Sequence, residues 1–341
     1  MTRLLGMLAA IALTAFCWGV YGPVLHVGRA AMQSALRPFV CVGLAYFLIA
    51  VIAPVALIAR GREKGSWTST GVLWSLLAGA AGALGALGVI LALTAGGRPI
   101  YVMPLVFGGA PVVNTLLTAF LNKAFGQLKA PFLAGLILVI TGAVTVLVFK
   151  PQPQVAHADK PAVVEAAVSA DGDGRVAVKQ DTERFFEVLL AVTLALLSWG
   201  AYGPVLHKGQ AAMGGSRLRP LICIGVAYFL IAVLVPMALL GPLGDQGSWD
   251  PTGIAWSMAA GSLGAIGALG TILAFACGGK PFTVMPVVFG CAPVINTLTS
   301  HTPTSADSPF FLAGILIVGV GAATVLIFGP RGHAPAKPAT A

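Results

Sequence analysis

The polar side chains best placed to do chemistry are two asparagines, Asn114 and Asn296, each near the far end of an apolar run. They belong to two copies of one motif. Gly96-Gly97-Arg98-Pro99 through Asn114-Thr115-Leu116 returns 182 positions later as Gly278-Gly279-Lys280-Pro281 through Asn296-Thr297-Leu298. Each copy carries two prolines, Pro104 and Pro111 in the first, Pro286 and Pro293 in the second. A proline inside a helix frees the carbonyl four residues back, here those of Ile100 and Phe107. In lipid, such carbonyls are tolerated only against protein or a wet cavity. Pro104, Phe107, Pro111 and Asn114 share one helical stripe, and in both copies this stripe is expected to line a central cavity. An amide there either hydrogen-bonds a solute or ties two helices together, a bond worth about 0.6 kcal/mol on average.

A second repeated motif supplies aromatic and titratable groups. Trp18-Gly19-Val20-Tyr21-Gly22-Pro23-Val24-Leu25-His26 returns as Trp199-Gly200-Ala201-Tyr202-Gly203-Pro204-Val205-Leu206-His207. Trp18 and Tyr21 share a helix face, as do Trp199 and Tyr202. These rings either stack on a solute in the cavity or anchor at the headgroup level; Trp18 lies well inside its run, which favours the cavity. His26 and His207 end their runs. They are candidates for proton coupling or gating, against the plainer reading of interfacial histidines. Arg37 and Arg219 open the following runs, where they either guide an anionic solute or snorkel to headgroups.

Other chemistries lack their residues. There is no HExxH, no GxSG-type elbow and no deep pair of carboxylates, so an intramembrane enzyme is not expected. Gly82-Ala83-Leu84-Gly85 has no following Lys and no strand before it, so it is not a phosphate loop. The five cysteines (Cys17, Cys41, Cys223, Cys277, Cys291) sit in apolar runs without a CxxC, and neither disulfide, metal nor other cofactor is inferred.

The elements that position these residues follow from composition. Hydrophobic residues make up 57% and charged residues 9% of the 341-residue chain, and mean hydropathy is +0.92. Soluble domains carry about 25% charged residues. An all-α membrane protein is expected, with the lipid bilayer as its partner. The net charge of +9 is assigned to loop Lys and Arg rather than to nucleic-acid binding. Apolar runs long enough to span a bilayer occur at 4–26, 37–59, 70–95, 99–122 and 131–149, then at 185–207, 220–241, 252–277, 281–300 and 309–328. The first run could pass for a signal peptide, but its internal copy argues that it is retained.

The division is therefore a first repeat over 1–149, a linker over 150–184, a second repeat over 185–329 and a tail over 330–341. The linker is rich in Ala, Pro, Asp and Lys and is expected to be disordered, as is the tail. Five helices per repeat send the second copy into the membrane from the opposite side. Loop charges agree: Arg60, Arg62 and Lys64 follow the second run, whereas Asp245 and Asp250 follow the seventh. Lys123 and Lys129 follow the fourth run, Asp307 follows the ninth, and Lys208, Arg217 and Arg219 follow the sixth. The positive-inside rule then puts both termini in the cytoplasm and the linker outside. Arg29, Arg37 and Arg98 fall on the less favoured side. The expected fold is ten transmembrane helices as two inverted five-helix repeats.

Trp18-Gly19 with Trp199-Gly200, the proline-bearing fourth helix of each half, and Gly135 with Gly142 against Gly314 with Gly321 together resemble the drug/metabolite transporter superfamily with its EamA-type repeats. The family often carries Gly-Glu before its fifth helix, where this chain has Gly126-Gln127 and Ala306-Asp307. The resemblance implies a ten-helix fold that moves a small polar metabolite across the cytoplasmic membrane by alternating access. Partners under this reading are the solute, the bilayer and, as an open expectation, a second copy in a homodimer. The alternative is a non-transporting membrane scaffold or assembly protein.

Overall fold

The computed structural model describes residues 2–61, 63–97, 99–149, 174–242, 244–300 and 308–330, with backbone only at 99–101 and 174–183. Among these residues no strand forms, and ten helices are long and apolar enough to cross a membrane. They are α1 (Thr2–Met32), α2 (Leu36–Ala59), α3 (Ser69–Thr94), α4 (Pro99–Leu121), α5 (Ala130–Val148), α6 (Gly174–Ala212), α7 (Leu218–Leu239), α8 (Pro251–Ala276), α9 (Pro281–Ser300) and α10 (Pro309–Phe328). Of the expected linker and tail, 150–173 and 331–341 lie outside the described residues, as do Arg62, Arg98 and Asp307. The last part of the expected linker, 174–184, is helical and continues into α6.

Each expected span falls on one helix, but two helices run further than hydropathy indicated. α1 continues past His26 to Met32, and α6 past His207 to Ala212. Neither histidine therefore ends its helix. The extra turns carry Ala and Arg or Lys, good helix formers despite their polarity. They are also packed: a Cβ on Gly28 would lie 3.1 Å from the Gly253 carbonyl, and one on Gly209 would lie 2.9 Å from the Ser75 amide.

Helix starts and stops are encoded twice. The Thr68 hydroxyl accepts from the Gly71 amide at 3.0 Å to open α3, and the Asp250 carboxylate accepts from the Gly253 amide at 2.8 Å to open α8. After α3 and α8 the chain reverses at Gly96 (φ 96°) and Gly278 (φ 94°), left-handed conformations that favour glycine. α2 and α7 each contain a π-helical stretch, Phe47–Ile52 and Leu230–Leu234. Each lies just before a proline, Pro54 or Pro236. The wider turns relieve the clash that a proline ring makes with the preceding turn.

Packing runs mainly between the halves. α1 lies against α8 and α9, and α6 against α3 and α4. α2 meets α7 and α8, and α5 meets α10. Lipid is as apolar as Leu, so helix association relies on close fit. The α5–α10 crossing illustrates this: a Cβ on Gly142 would lie 2.7 Å from the Val318 amide, and one on Gly321 2.6 Å from the Val139 amide. Large apolar side chains such as Phe120, Leu190 and Leu316 remain exposed on the outer surface, as expected for a multi-pass membrane protein.

Candidate functional site

Tyr46 of α2 and Tyr228 of α7 stack at the centre of the molecule, with ring centroids 3.7 Å apart and an interplanar angle of 2°. Beside them runs a line of rings. Tyr202 meets Trp18 edge-on at 5.7 Å, Trp18 meets Phe289 at 6.5 Å, Phe289 meets Phe107 at 6.3 Å, and Phe107 meets Trp199 at 5.8 Å. Both tryptophans are seated on glycines. The Trp18 indole donates to the Gly264 carbonyl at 3.3 Å and lies over Gly267 of α8. The Trp199 indole donates to the Gly82 carbonyl at 3.1 Å and lies over Gly85 of α3. The ring line thus joins both halves and fills the middle of the fold.

Two ends flank this centre. At one, a cavity of about 530 Å³ opens between the last turns of α1 and the end of α3, lined by His26, Arg29, Gln33, Ser34, Leu93 and Gly97 among others. At the other end the positions matching His26, Arg29 and Leu93 are His207, Gln210 and Phe275, and they are closed on one another. His207 packs edge-on against Phe275 at 5.2 Å, and the Gln210 side-chain amide donates to the Ile272 carbonyl at 3.1 Å.

The asparagines follow the same division. Asn114 is fully buried, and its amide donates across to the Pro281 carbonyl at the start of α9 at 2.9 Å. Its side-chain carbonyl oxygen has no partner among the described residues. Asn296 is half-buried, and its amide donates to the Gly19 carbonyl of α1 at 3.1 Å. Gly203 of α6 abuts both Asn114 and Met285 of α9, whereas its counterpart Gly22 abuts Asn296 alone. Tyr202 is buried and Tyr21 half-buried. Pro104, Pro111, Pro286 and Pro293 are all buried within α4 and α9. None of these residues lines the open cavity; of the expected site residues, only His26 does.

Arg37 and Arg219 serve a pair of loop latches. Arg37 Nε donates to Asp245 at 2.8 Å, Ser34 donates to the same carboxylate at 2.6 Å, and the guanidinium lies 5.2 Å above the Trp249 ring. At the opposite end the Ser216 hydroxyl donates to Glu63 at 3.0 Å. There Arg219 donates to the Lys64 carbonyl at 3.2 Å and lies 5.8 Å over Trp67. The Asp245 carboxyl is partly desolvated, which raises its pKa. Hydrogen bonds from Ser34, Arg37 and the Gly247 amide outweigh this and hold it below the usual carboxylate value.

Sequence reasoning passed over three features. Tyr46 and Tyr228 were visible as repeat matches, but aromatics in an aliphatic run look like core. The latch acids Glu63 and Asp245 occupy matched positions, each two residues before a Gly-Ser-Trp, a signal that would have found them. Arg29 stood out only as a cation on the less favoured side; Gln210 at the matching position is the clue that its charge is not required by the fold.

No family model and no curated protein matches the chain. Solved structures do. One, "Crystal structure of protein", has a TM-score of 0.61 at 18% identity, covering 97% of this chain and 99% of that one. At that identity the likeness shows a shared fold and nothing more.

Proposed function

We propose that the chain is a secondary transporter that moves a small polar metabolite across the cytoplasmic membrane by alternating access, with its two halves as inverted repeats of the drug/metabolite transporter kind. One observation carries the reading: two ends built from matched residues, one open around His26 and Arg29, the other closed around His207 and Gln210. A transporter needs two arrangements of one framework around a central site. Inversion is supported by the latches. The loop after α1 meets the loop after α7, and the loop after α6 meets the loop after α2. The two ends of α7 lie at opposite faces, so α1 and α6 finish at opposite faces too. With the positive-inside rule, the open end is extracytoplasmic and both termini are cytoplasmic. The two asparagines act in closure: Asn114 bonds α9 at the closed end, while Asn296 turns back to α1 at the open one.

Thiol labelling tests the reading. In a variant freed of its five cysteines, His26→Cys and His207→Cys are made singly and reacted with a membrane-impermeant maleimide from either side. A transporter labels rapidly at position 26 and slowly at 207, and a bulky adduct at one position alters the rate at the other. Asn114→Ala speeds labelling at 207, because it removes a bond of the closed end. A fixed scaffold leaves position 207 unreactive in every variant, and that result would sink the proposal.

A further inference from the structure

We infer that the open cavity admits a small organic anion, held by the Arg29 guanidinium with His26 beside it; this rests on the transport reading and names its substrate class. Arg29 lies in the last turn of α1, is half-buried and lines the cavity wall. It makes no hydrogen bond or ion pair to any described residue. The nearby Asp245 is already taken by Arg37 and Ser34. With the sixth span counted from Arg184, Glu187 is the single carboxylate among the described residues of the ten spans; it is exposed and does not line the cavity. Among the described side chains this half-buried guanidinium has no counter-charge, which is costly and points to a charge supplied from outside the described fold.

The closed end shows that the fold does not need this charge. Gln210 stands at the matching position and completes the helix contact by donating to the Ile272 carbonyl. Cations wait at that end too. Lys208 lies 5.1 Å over the Trp74 ring, and Lys280 opens α9, with no carboxylate from the spans beside them. A solute leaving Arg29 would therefore meet positive charge again on the far side. The planar fork of Arg suits a carboxylate or a phosphate in two-pronged hydrogen bonding. A cavity of about 530 Å³ has the size of a metabolite site.

The test pairs solutes that differ in charge: glucose 6-phosphate with glucose, malate with threitol, and putrescine as a cation. Binding is read as a saturable rise in melting temperature of the full-length protein, and transport as counterflow in phosphatidylcholine proteoliposomes. The expected result is that one or both anions bind and exchange while their neutral partners do not. Arg29→Gln, which copies the opposite end, keeps the ligand-free melting temperature but binds the anion about tenfold or more weakly. Arg29→Lys falls between. Equal binding of neutral solute or putrescine, no binding by any member of the panel, or anion binding unchanged in Arg29→Gln overturns the inference. Stabilisation that depends on Arg29 only in phosphatidylglycerol vesicles also overturns it, since a lipid headgroup would then be the anion. The two readings fail separately. Arg29-independent exchange of a neutral solute removes the anion and leaves transport standing; Arg29-dependent anion binding without exchange removes transport and leaves the site.

Discussion

At one end of the molecule His26 and Arg29 face an open cavity; at the other, His207 is packed on Phe275 and Gln210 is bonded to Ile272. The local sequences are close copies, Gly22-Pro23-Val24-Leu25-His26 against Gly203-Pro204-Val205-Leu206-His207. Local propensity therefore cannot be what opens one and shuts the other. The difference lies in a few contacts between helices: Gly203 against Met285, Asn114 to the Pro281 carbonyl, and the His207–Phe275 pair. Each of these is a small term, of the order that separates two populated states of one protein. The seats of the two tryptophans, in contrast, match, although Tyr202 meets Trp18 and no described contact pairs Tyr21 with Trp199. Each tryptophan bonds a glycine carbonyl of the other half, and the two stacked tyrosines share one contact. The molecule thus pairs matched tryptophan seats with asymmetric ends.

The strongest way to break this comparison is to fasten the open end shut. His26 and Leu93 both line the cavity, at the positions that match His207 and Phe275, which meet at the closed end. In the cysteine-free background, the double variant His26→Cys with Leu93→Cys is expected to form a disulfide under mild oxidation. Counterflow should then stop completely and return on reduction. The single variants should retain it. If oxidation never joins the two positions, the open end does not close the way its counterpart does, and the comparison fails.

A smaller effect is expected at the centre, where the two sides should respond alike. Gly267→Ala puts a methyl group against the Trp18 indole, and Gly85→Ala does the same to Trp199. Overpacking of this kind costs about 1–3 kcal/mol. Both variants should lower the melting temperature by similar amounts and leave the ratio of labelling at positions 26 and 207 unchanged. A shift of that ratio in one variant only would place the asymmetry in the core as well.

The spans were legible because lipid demands long apolar helices with internally satisfied backbones, and that demand is written in composition. Their ends were not, because a helix stops at a cap rather than where hydropathy falls. α1 runs on past His26 because its next turns are good helix formers packed on α8. The π-helical turns of α2 and α7 need the position of Pro54 or Pro236 and the partner helix together, which no single-strand pattern supplies. Depth in the run favoured cavity lining over anchoring for the tryptophans; only the facing glycines of α3 and α8 reveal that they are seated between halves. Arg29 was visible as an exception to charge placement, and its meaning came from the cavity and from Gln210 opposite. Spacing within one helix is legible in sequence; which helices face one another is not.

The smallest effect belongs to the latches, and its sign is fixed by Asp245. Its carboxyl is held below the usual value in the folded protein. A depressed carboxyl contributes stability that is present above the unfolded pKa, about 3.9, and lost as pH falls through the folded value. Between pH 7 and 5 the latch should be constant, and its contribution should fade only below about pH 4. Asp245→Asn should lower stability at pH 7 by up to about 1 kcal/mol, the scale of a partly exposed ion pair, and should flatten the acid limb of the melting curve. Glu63→Gln should cost less. At that end Arg219 bonds the Lys64 carbonyl and Ser216 rather than the acid, whereas Arg37 and Asp245 form a direct ion pair with side chains 15% and 10% exposed. The stronger latch thus sits at the open end, where the loop contact holds α1 to the α7–α8 connection. A larger loss from Glu63→Gln than from Asp245→Asn would reverse that assignment and place the firmer clasp at the closed end.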